Sequence, residues 1–371
     1  MKLARIEIEN FRKLGAHGRP FELDFVDSLG RVRDLTLLVG PNTCGKTTIL
    51  DAIAAAIGPT LELPATRSEF KLSPWQVVSP GALRARVTCW IQFSEDELIA
   101  TREILSQQES PETVSDVREL ELTWEYPDPR GKSRFGYTQC TPRDGWHLLK
   151  SRVRVARLLA VRRLDFSWFR LAGGVFTFDQ ERTGLGRTVS RRLANLIAGG
   201  IADADQEIDS KTTDPREILI DMWFKSVVPK TTGETSEFSD FDIVKECYEK
   251  LCAPHRITGV KQEKGEIDVF FHDGVSEYSF AGLSSGQRMA LLVLIRFVTE
   301  RIHRSIVLID ELELNQHPIW QRKLLHLIPK MGEENQIIAT THSPYLRDAV
   351  RPDAVIDLGQ IEDSPIAEPV P

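Results

Sequence analysis

The sequence predicts an α/β fold with a mixed parallel core sheet, an antiparallel β flank and a small helical insertion. An apolar strand, a loop that starts with glycine and an apolar helix follow one another over residues 35–57. Alternating strands stand on both sides of this unit, which is typical of a sheet with one exposed face. Buried apolar strands return in the last third of the chain, as expected for a parallel sheet built from distant segments.

Composition and charge narrow the classes of protein to which the chain can belong. The 371 residues are 41% hydrophobic and 27% charged, with a net charge of −7. No apolar run approaches the roughly 18 to 20 residues that a membrane span needs. Five cysteines occur without a CxxC pair, as in reduced proteins. We therefore expect a cytoplasmic protein with no membrane partner, whose overall charge does not favour nucleic acid.

Four segments alternate apolar with polar residues and predict the antiparallel flank. The pattern begins at the start of the chain, where Leu3, Ile6 and Ile8 have charged neighbours. Successive side chains of a strand point to opposite faces, so this alternation indicates half-buried strands. The four segments are residues 1–10, 21–25, 84–93 and 120–126.

A phosphate-binding loop is predicted between the strand at residues 35–39 and the helix that follows. Glycines let backbone N–H groups approach phosphate oxygens, and the helix directs its positive end at the anion. Lys46 adds positive charge for the outer phosphates, and the hydroxyl of Thr47 can hold Mg²⁺. The predicted nucleotide-binding residues are Gly40, Pro41, Asn42, Thr43, Cys44, Gly45, Lys46, Thr47 and Thr48.

The most basic stretch of the chain lies at residues 151–163. One interpretation is a solvated face beside a buried strand over residues 158–161. The alternative is a set of contacts to the phosphates of DNA or RNA. Under that alternative the contacts come from Arg152, Arg154, Arg157, Arg162 and Arg163.

The middle of the chain has mainly helical periodicity and divides the sequence into parts. Pro215 is predicted to begin a helix with an apolar face, between polar linkers at residues 202–214 and 230–239. We predict an N-terminal lobe with the phosphate loop, a helical insertion, a C-terminal lobe and a disordered tail. Their boundaries are residues 1–188, 189–260, 261–358 and 359–371.

Two strands of the predicted C-terminal lobe end in residues suited to catalysis. The strand at residues 305–309 ends in Asp310 and Glu311, and the strand at residues 336–340 is followed closely by His342. Asp310 would hold Mg²⁺ through water, and Glu311 would polarise an attacking water as a general base.

A second anion site is predicted where Ser284, Ser285, Gly286 and Gln287 begin the helix at residues 285–299. Small hydroxyl residues and a glycine at a helix start leave N–H groups available to an anion. One nucleotide does not need two such loops from one chain. The sequence therefore predicts a head-to-tail homodimer, in which this helix contacts the terminal phosphate bound by the partner.

The motifs occur in the order found in the ABC-type ATPase clade, and the chain resembles its SMC/RecF-like branch. The resemblance implies a P-loop NTPase head that binds ATP and Mg²⁺, hydrolyses ATP and dimerises on ATP binding. It implies that Arg12, which ends an Asn-Phe-Arg turn, lies near the nucleotide or a nucleic acid. His342 would contact the γ-phosphate. Gln180 would sense Mg²⁺ and the attacking water, with Gln92 and Gln139 as weaker candidates.

The chain departs from the family pattern in two places. The signature reads LSSGQ, with Ser285 in place of the second glycine of many relatives. After Glu311, Gln316 precedes His317 and Pro318 where the family often has leucine. The middle segment is also too short for the long coiled coil that separates the halves of a true SMC protein.

The chain therefore resembles AAA-type stand-alone ATPases of bacterial anti-phage defence, such as those paired with HNH nucleases. The implied function is an ATP-driven dimeric switch that acts on DNA in repair or defence, with a separate effector such as a nuclease. One alternative is the nucleotide-binding subunit of a transporter, against which the Asn-Phe-Arg turn argues. Another is a regulatory scaffold that needs ATP for assembly and whose turnover is incidental.

Overall fold

In the computed structural model, the residues described are 1–16, 18–58, 74–107, 114, 116–133, 136–160, 166–179, 214–227, 239–263, 265–313 and 316–359. The strands are β1 Lys2–Glu9, β2 Phe21–Asp24, β3 Leu35–Val39, β4 Ala85–Gln92, β5 Glu119–Tyr126, β6 Tyr137–Thr141, β7 Val175–Phe178, β8 Arg256–Glu263, β9 Glu266–His272, β10 Glu277–Ser279, β11 Ile306–Ile309, β12 Gln336–Thr340 and β13 Val355–Asp357. The helices are α1 Lys46–Ile57, α2 Pro74–Val77, α3 Glu95–Ser106, α4 Trp146–Leu149, α5 Ser151–Ala160, α6 Pro215–Val227, α7 Asp240–Cys252, α8 Ser285–Thr299, α9 Pro318–Leu327 and α10 Pro344–Arg347.

The centre of the molecule is a parallel sheet with the strand order β13-β3-β12-β11-β7. Both of its faces are covered. Leu38 and Ile338 belong to one hydrophobic cluster, and their neighbours Leu37 and Ile337 belong to another. Strands buried on both faces need apolar side chains at successive positions, and this explains the short apolar runs in the sequence.

An antiparallel sheet with the order β2-β1-β4-β5-β6 flanks the parallel sheet. Helix α1 lies between the two sheets, since Ile49 and Ile53 share a hydrophobic cluster with Ile6 of β1 and Leu38 of β3. Trp124 of β5 is fully buried in the same cluster. The predicted fold class, a core sheet with an antiparallel flank, is confirmed.

The other face of the parallel sheet is covered by α6, α7 and α8 and by a small antiparallel sheet in the order β10-β9-β8. Helix α6 begins at Pro215 and α8 spans Ser285–Thr299, both as the sequence predicted. Ser284 caps α8 by accepting from the backbone N–H of Gln287, whose side chain accepts from the backbone N–H of Ser284. This reciprocal capping box is a local signal, so it marks the helix start in the sequence itself.

The strand predicted at residues 158–161 is wrong, because its described part lies in helix α5. Val155, Leu158 and Leu159 follow helical spacing and pack in a separate cluster with Ile104 and Phe169. A short apolar run does not distinguish a strand from a buried helical face. No helix within the described ranges has the length and apolar character that crossing a bilayer requires.

Candidate functional site

The candidate site lies where β3, β11 and β12 end beside the start of α1. Thr47 Oγ1 lies 3.1 Å from both carboxylate oxygens of Asp310. Thr340 Oγ1 donates to Asp310 Oδ1 at 2.6 Å and accepts from the backbone N–H of Glu311 at 2.8 Å. The hydroxyl of Thr340 therefore holds the carboxylate of Asp310 and the backbone of Glu311, and the sheet brings these residues to the phosphate loop although they are distant in sequence.

The phosphate loop depends on glycine at two positions. Gly40 has a φ of 149°, and a Cβ at this position would lie 2.8 Å from Cys44 Sγ. Gly45 has a φ of 100° and directly precedes α1, so it provides no side chain to cap that helix. The first-turn N–H groups of α1, including those of Lys46 and Thr47, are thus left to an anion.

Lys46 is buried within the loop that it follows. Its Nζ donates to the carbonyl oxygens of Gly40 at 3.0 Å and Pro41 at 2.9 Å. The ammonium group therefore braces the loop and places its positive charge beside the uncapped helix start. A phosphate at this position would meet both features together.

These residues fit ATP and Mg²⁺. The loop N–H groups and Lys46 match the charge and hydrogen-bonding needs of a triphosphate. Thr47 and Asp310 present hydroxyl and carboxylate oxygens, the ligand type that Mg²⁺ prefers, and they already lie in contact. Thr48 lies in the first turn of α1, and Asn42 and Thr43 are exposed in the loop.

Glu311 has an unusual backbone conformation, with a φ of 48°. A non-glycine residue in the left-handed region is sparsely populated and often marks a functional position. Arg12, which contacts α1, and Thr43, which belongs to the phosphate loop, have φ values of 53° and 69°. Three predicted site residues therefore share a conformation that ordinary side chains rarely adopt.

Arg12 contacts the helix that follows the phosphate loop. Its Nη1 lies 2.5 Å from Asp51 Oδ2, and Asp51 is one helical turn beyond Thr47. Burial raises the pKa of Asp51, the nearby carboxylate of Asp310 adds to the rise, and Arg12 opposes it. Asp51 was not predicted from the sequence, although its spacing of four residues from Thr47 places it on the same helical face.

The loop after β12 is held next to the residues that follow β11. The backbone N–H of His342 donates to Glu313 Oε1 at 2.6 Å, while the His342 side chain is exposed.

Gln180 lies outside the described residues. In the antiparallel sheet, Gln92 of β4 lies opposite Lys2, which begins β1, whereas Arg12 follows the other end of that strand. Gln139 is exposed on β6. Neither glutamine contacts the phosphate loop within the described part of the chain.

The signature residues Ser284, Ser285 and Gly286 line a cavity of about 450 Å³ together with His255, His317 and Trp320. Among the described residues that line it, none comes from the phosphate loop. The capping box uses the side chains of Ser284 and Gln287, so Ser285 and Gly286 are the residues whose N–H groups suit a phosphate. The two predicted anion sites are therefore separate within one chain.

Arg152 is not a surface residue, and its prediction as a DNA contact is wrong. It is 3% exposed and donates to the carbonyl oxygens of Ala172, Glu300 and Arg301. Burial lowers its pKa to about 10. Arg154 donates to the carbonyl oxygen of His147, and Arg157 is exposed. The other two arginines of that prediction, at 162 and 163, lie outside the described residues.

The chain matches two protein-family models. The model described as "AAA domain, putative AbiEii toxin, Type IV TA system" matches residues 141–348, and one described as "AAA domain" matches residues 5–122. The chain is 31% identical over 145 residues to the Septu protein PtuA of Bacillus thuringiensis, covering 36% of each protein. It is 29% identical over 101 residues to the Retron Ec83 probable ATPase of Escherichia coli, covering 24% of this chain and 18% of that protein. The matched regions thus span about a third or less of these relatives.

Two of the solved structures with a similar fold are SMC heads. The SMC head bound to the C-winged helix domain of ScpA has a TM-score of 0.54 and 12% identity, covering 96% of both chains. An SMC head with an extended coiled coil bound to the C-terminal domain of ScpA from Pyrococcus furiosus has a TM-score of 0.50 and 13% identity, covering 94% of this chain and 92% of that one. The first family model spans more than half of the chain. The chain therefore belongs to the family of AAA-type ATPase domains, with the fold of an SMC head.

Proposed function

We propose that the protein binds ATP and Mg²⁺, closes as a head-to-tail homodimer around two nucleotides, and reopens when ATP is hydrolysed. The contact between Thr47 and Asp310 carries this proposal, because it joins the phosphate loop to the acid at the end of β11. The membership in the AAA-domain family supports it. A transporter subunit is the weaker candidate, since the relatives that the chain matches are a Septu protein and a retron's probable ATPase.

The catalytic roles follow from the groups that meet at this edge of the sheet. The loop N–H groups and Lys46 would bind the phosphates, and Thr47 and Asp310 would hold Mg²⁺, which supplies charge neutralisation when bound. Glu311 would accept a proton from the attacking water at its carboxylate. Thr340 orients Asp310 and Glu311 together, and His342 would contact the γ-phosphate.

The dimer is proposed because one chain carries two separate anion sites. Ser285 and Gly286 open onto a cavity that the phosphate loop does not line within the described residues. A head-to-tail arrangement would bring this cavity against the nucleotide held by the partner's phosphate loop. Each nucleotide would then be enclosed by groups from both subunits.

We also propose that the switch acts on DNA in anti-phage defence or repair, with a separate effector such as a nuclease. The similarity to a Septu protein and to a retron's probable ATPase supports this proposal. Arg157 is the exposed residue of the described basic stretch and is the candidate for a phosphate contact.

The test compares two variants by nucleotide binding, steady-state hydrolysis and light scattering. Lys46→Ala should lower ATP affinity at least about 10-fold, because it removes the charge that binds the outer phosphates. Glu311→Gln should keep ATP affinity and lose at least about 100-fold in kcat, the usual contribution of a general base. It should also accumulate as an ATP-bound dimer.

The matched controls are Lys225→Ala and Glu246→Gln, which alter exposed ion pairs on α6 and α7. Both controls should behave like the wild type. If Glu311→Gln hydrolyses ATP at the wild-type rate, the assignment of the base is wrong. If Lys46→Ala binds ATP as tightly as the wild type, the nucleotide site itself lies elsewhere.

A further inference from the structure

A chain of hydrogen bonds joins the start of the signature helix to the loop that carries His342. Gln316 Nε2 donates to the carbonyl oxygen of Gly286 at 2.9 Å. Gln321 Nε2 donates to the backbone carbonyl oxygen of Gln316 at 2.9 Å, and Ser343 Oγ donates to Gln321 Oε1 at 2.6 Å. We name the three side chains of Gln316, Gln321 and Ser343 the relay.

The relay is buried, which makes its geometry well defined. Gln316 and Gln321 are each 7% exposed and Ser343 is 8% exposed. A buried polar group that loses its partner has no water to replace it, so breaking any one of these bonds is costly. Each of the three side chains is therefore held at its acceptor, and the main chain of Gln316 joins the first bond to the second.

Both ends of the relay belong to groups that the proposed function uses. Gly286 belongs to the signature cavity, and Ser343 directly follows His342. The loop is also held from its other side, because the backbone N–H of His342 donates to Glu313 Oε1. Glu313 in turn accepts at its carbonyl oxygen from the backbone N–H of Gln316 at 2.9 Å. Glu313 and the described residues 316–321 thus connect the signature helix with the His342 loop.

The relay gives a physical role to one departure from the family pattern. The resemblance drawn from the sequence implies a leucine before the His-Pro pair, whereas this chain has Gln316 before His317. A leucine side chain has no donor for the carbonyl oxygen of Gly286. The glutamine therefore creates a link between the two loops that the usual residue does not provide.

We propose that Gln316, Gln321 and Ser343 are positioning residues that transmit nucleotide contact at the signature helix to His342. This inference rests on the proposed function. A shift of the first turn of α8 onto the partner's phosphate would move the Gly286 carbonyl, and the relay would carry that movement to Ser343. Hydrolysis at each nucleotide then depends on closure at the other, which is a coupling between two sites.

The relay is tested in the full chain with Ser343→Ala and Gln316→Leu, each of which removes one link. ATP affinity should stay within about 2-fold of the wild type, because a coupling residue outside the phosphate loop leaves binding intact. The kcat should fall about 10- to 100-fold, as expected when a catalytic group is displaced by a fraction of an ångström or more. The Hill coefficient for ATP should fall from near 2 to about 1.

Two controls separate positioning from a general loss of stability. Ser343→Thr keeps the hydroxyl and should restore both kcat and cooperativity. Gln336→Met removes a matched pair of buried bonds, to the backbone N–H and carbonyl of Leu3, at the opposite end of β12 from the site. It should lower the melting temperature and leave the Hill coefficient unchanged.

Three outcomes overturn the relay. The first is a folded Ser343→Ala variant that keeps the wild-type kcat and Hill coefficient. The second is a Ser343→Ala variant that loses as much ATP affinity as kcat. The third is a wild-type protein that hydrolyses ATP without cooperativity. If Gln316→Leu does not fold, Ser343→Ala still decides, since it deletes a single hydroxyl. A wild-type protein that does not bind or hydrolyse ATP overturns the proposed function itself, and with it the relay.

Discussion

Arg152 contacts the turn between α8 and β11, His303 belongs to this turn, and burial determines what each contributes. Arg152 donates to the carbonyl oxygens of Glu300 and Arg301 in this turn. His303 Nδ1 accepts from the backbone N–H of Glu333 at 3.1 Å. Burial lowers the pKa of His303 from 6.5 to about 4, and the positive charge of Arg152 contributes to the shift. The neutral imidazole is therefore part of the folded structure.

The depressed pKa of His303 predicts a loss of stability in acid. Between pH 6.5 and about 4 the unfolded chain binds a proton at His303 that the folded chain does not. The free energy of unfolding should therefore fall as the pH decreases through this window, by about 2 kcal/mol from this residue, which is less than the full shift would give because water partly screens the half-buried imidazole. Urea denaturation at several pH values measures it.

His303→Asn is the control for this prediction, because its side-chain oxygen can still accept from the N–H of Glu333 but does not titrate. The difference in stability between wild type and variant should change across the window. A difference that is independent of pH would show that His303 titrates normally in the folded protein.

At the scale of elements, the junction between the phosphate loop and α1 is constrained by its backbone. Gly45 has a φ of 100°, and a Cβ there would lie 3.0 Å from Leu14 Cδ2. Leu14 belongs to the turn after β1 and is buried. The loop is thus fitted against the segment that carries Arg12, and a side chain at Gly45 would disturb both.

Gly45→Ala should weaken ATP binding more than it weakens the fold. The left-handed φ and the contact with Leu14 should lower the free energy of unfolding by about 1 to 2 kcal/mol. The displaced N–H groups of the loop should lower ATP affinity at least about 10-fold. Calorimetric titration with ATP and urea denaturation measure the two effects.

Gly81→Ala provides the comparison, since Gly81 has a φ of 82° and no atom near the added Cβ. Gly81→Ala should lower the free energy of unfolding, because its left-handed φ is also unfavourable for alanine, and should leave ATP affinity unchanged. If Gly45→Ala binds ATP normally, the N–H groups of this junction do not contact the phosphates.

At the scale of the whole molecule, the two faces of the parallel sheet carry the helices that begin at the two predicted anion sites. Helix α1 follows the phosphate loop on one side, and α8 carries the signature residues in the cluster on the other side. This arrangement supports the proposed head-to-tail dimer. Arg157 is exposed on α5, and Val155 of the same helix packs in a third hydrophobic cluster.

Duplex DNA should stimulate ATP hydrolysis if the proposed switch acts on DNA. The stimulation should weaken between about 50 and 200 mM salt, because phosphate contacts release bound counterions. Arg157→Glu should reduce the stimulation, whereas Arg118→Glu, an equal charge reversal on the antiparallel sheet side, should not. Turnover that is indifferent to DNA at both salt concentrations would instead indicate a protein partner.

The sequence alone determined the elements around the candidate site. The predicted strand at residues 35–39, the helix after the phosphate loop and the helix at residues 285–299 are confirmed. Their signals are local, since apolar periodicity, glycine and a capping box act over a few residues. The roles assigned to Lys46 and Glu311 from the same motifs stay predictions.

Only the tertiary structure decided which side chains support those motifs. Three sets of contacts join segments that are distant in sequence. Buried Arg152 donates to the carbonyl oxygen of Ala172, the hydroxyl of Thr340 contacts Asp310 and the backbone of Glu311, and Gln316 donates to Gly286. No local pattern encodes such contacts, because they depend on how the sheet and helices pack. The sequence therefore indicated the chemistry of the site, and the packing determined which residues position it.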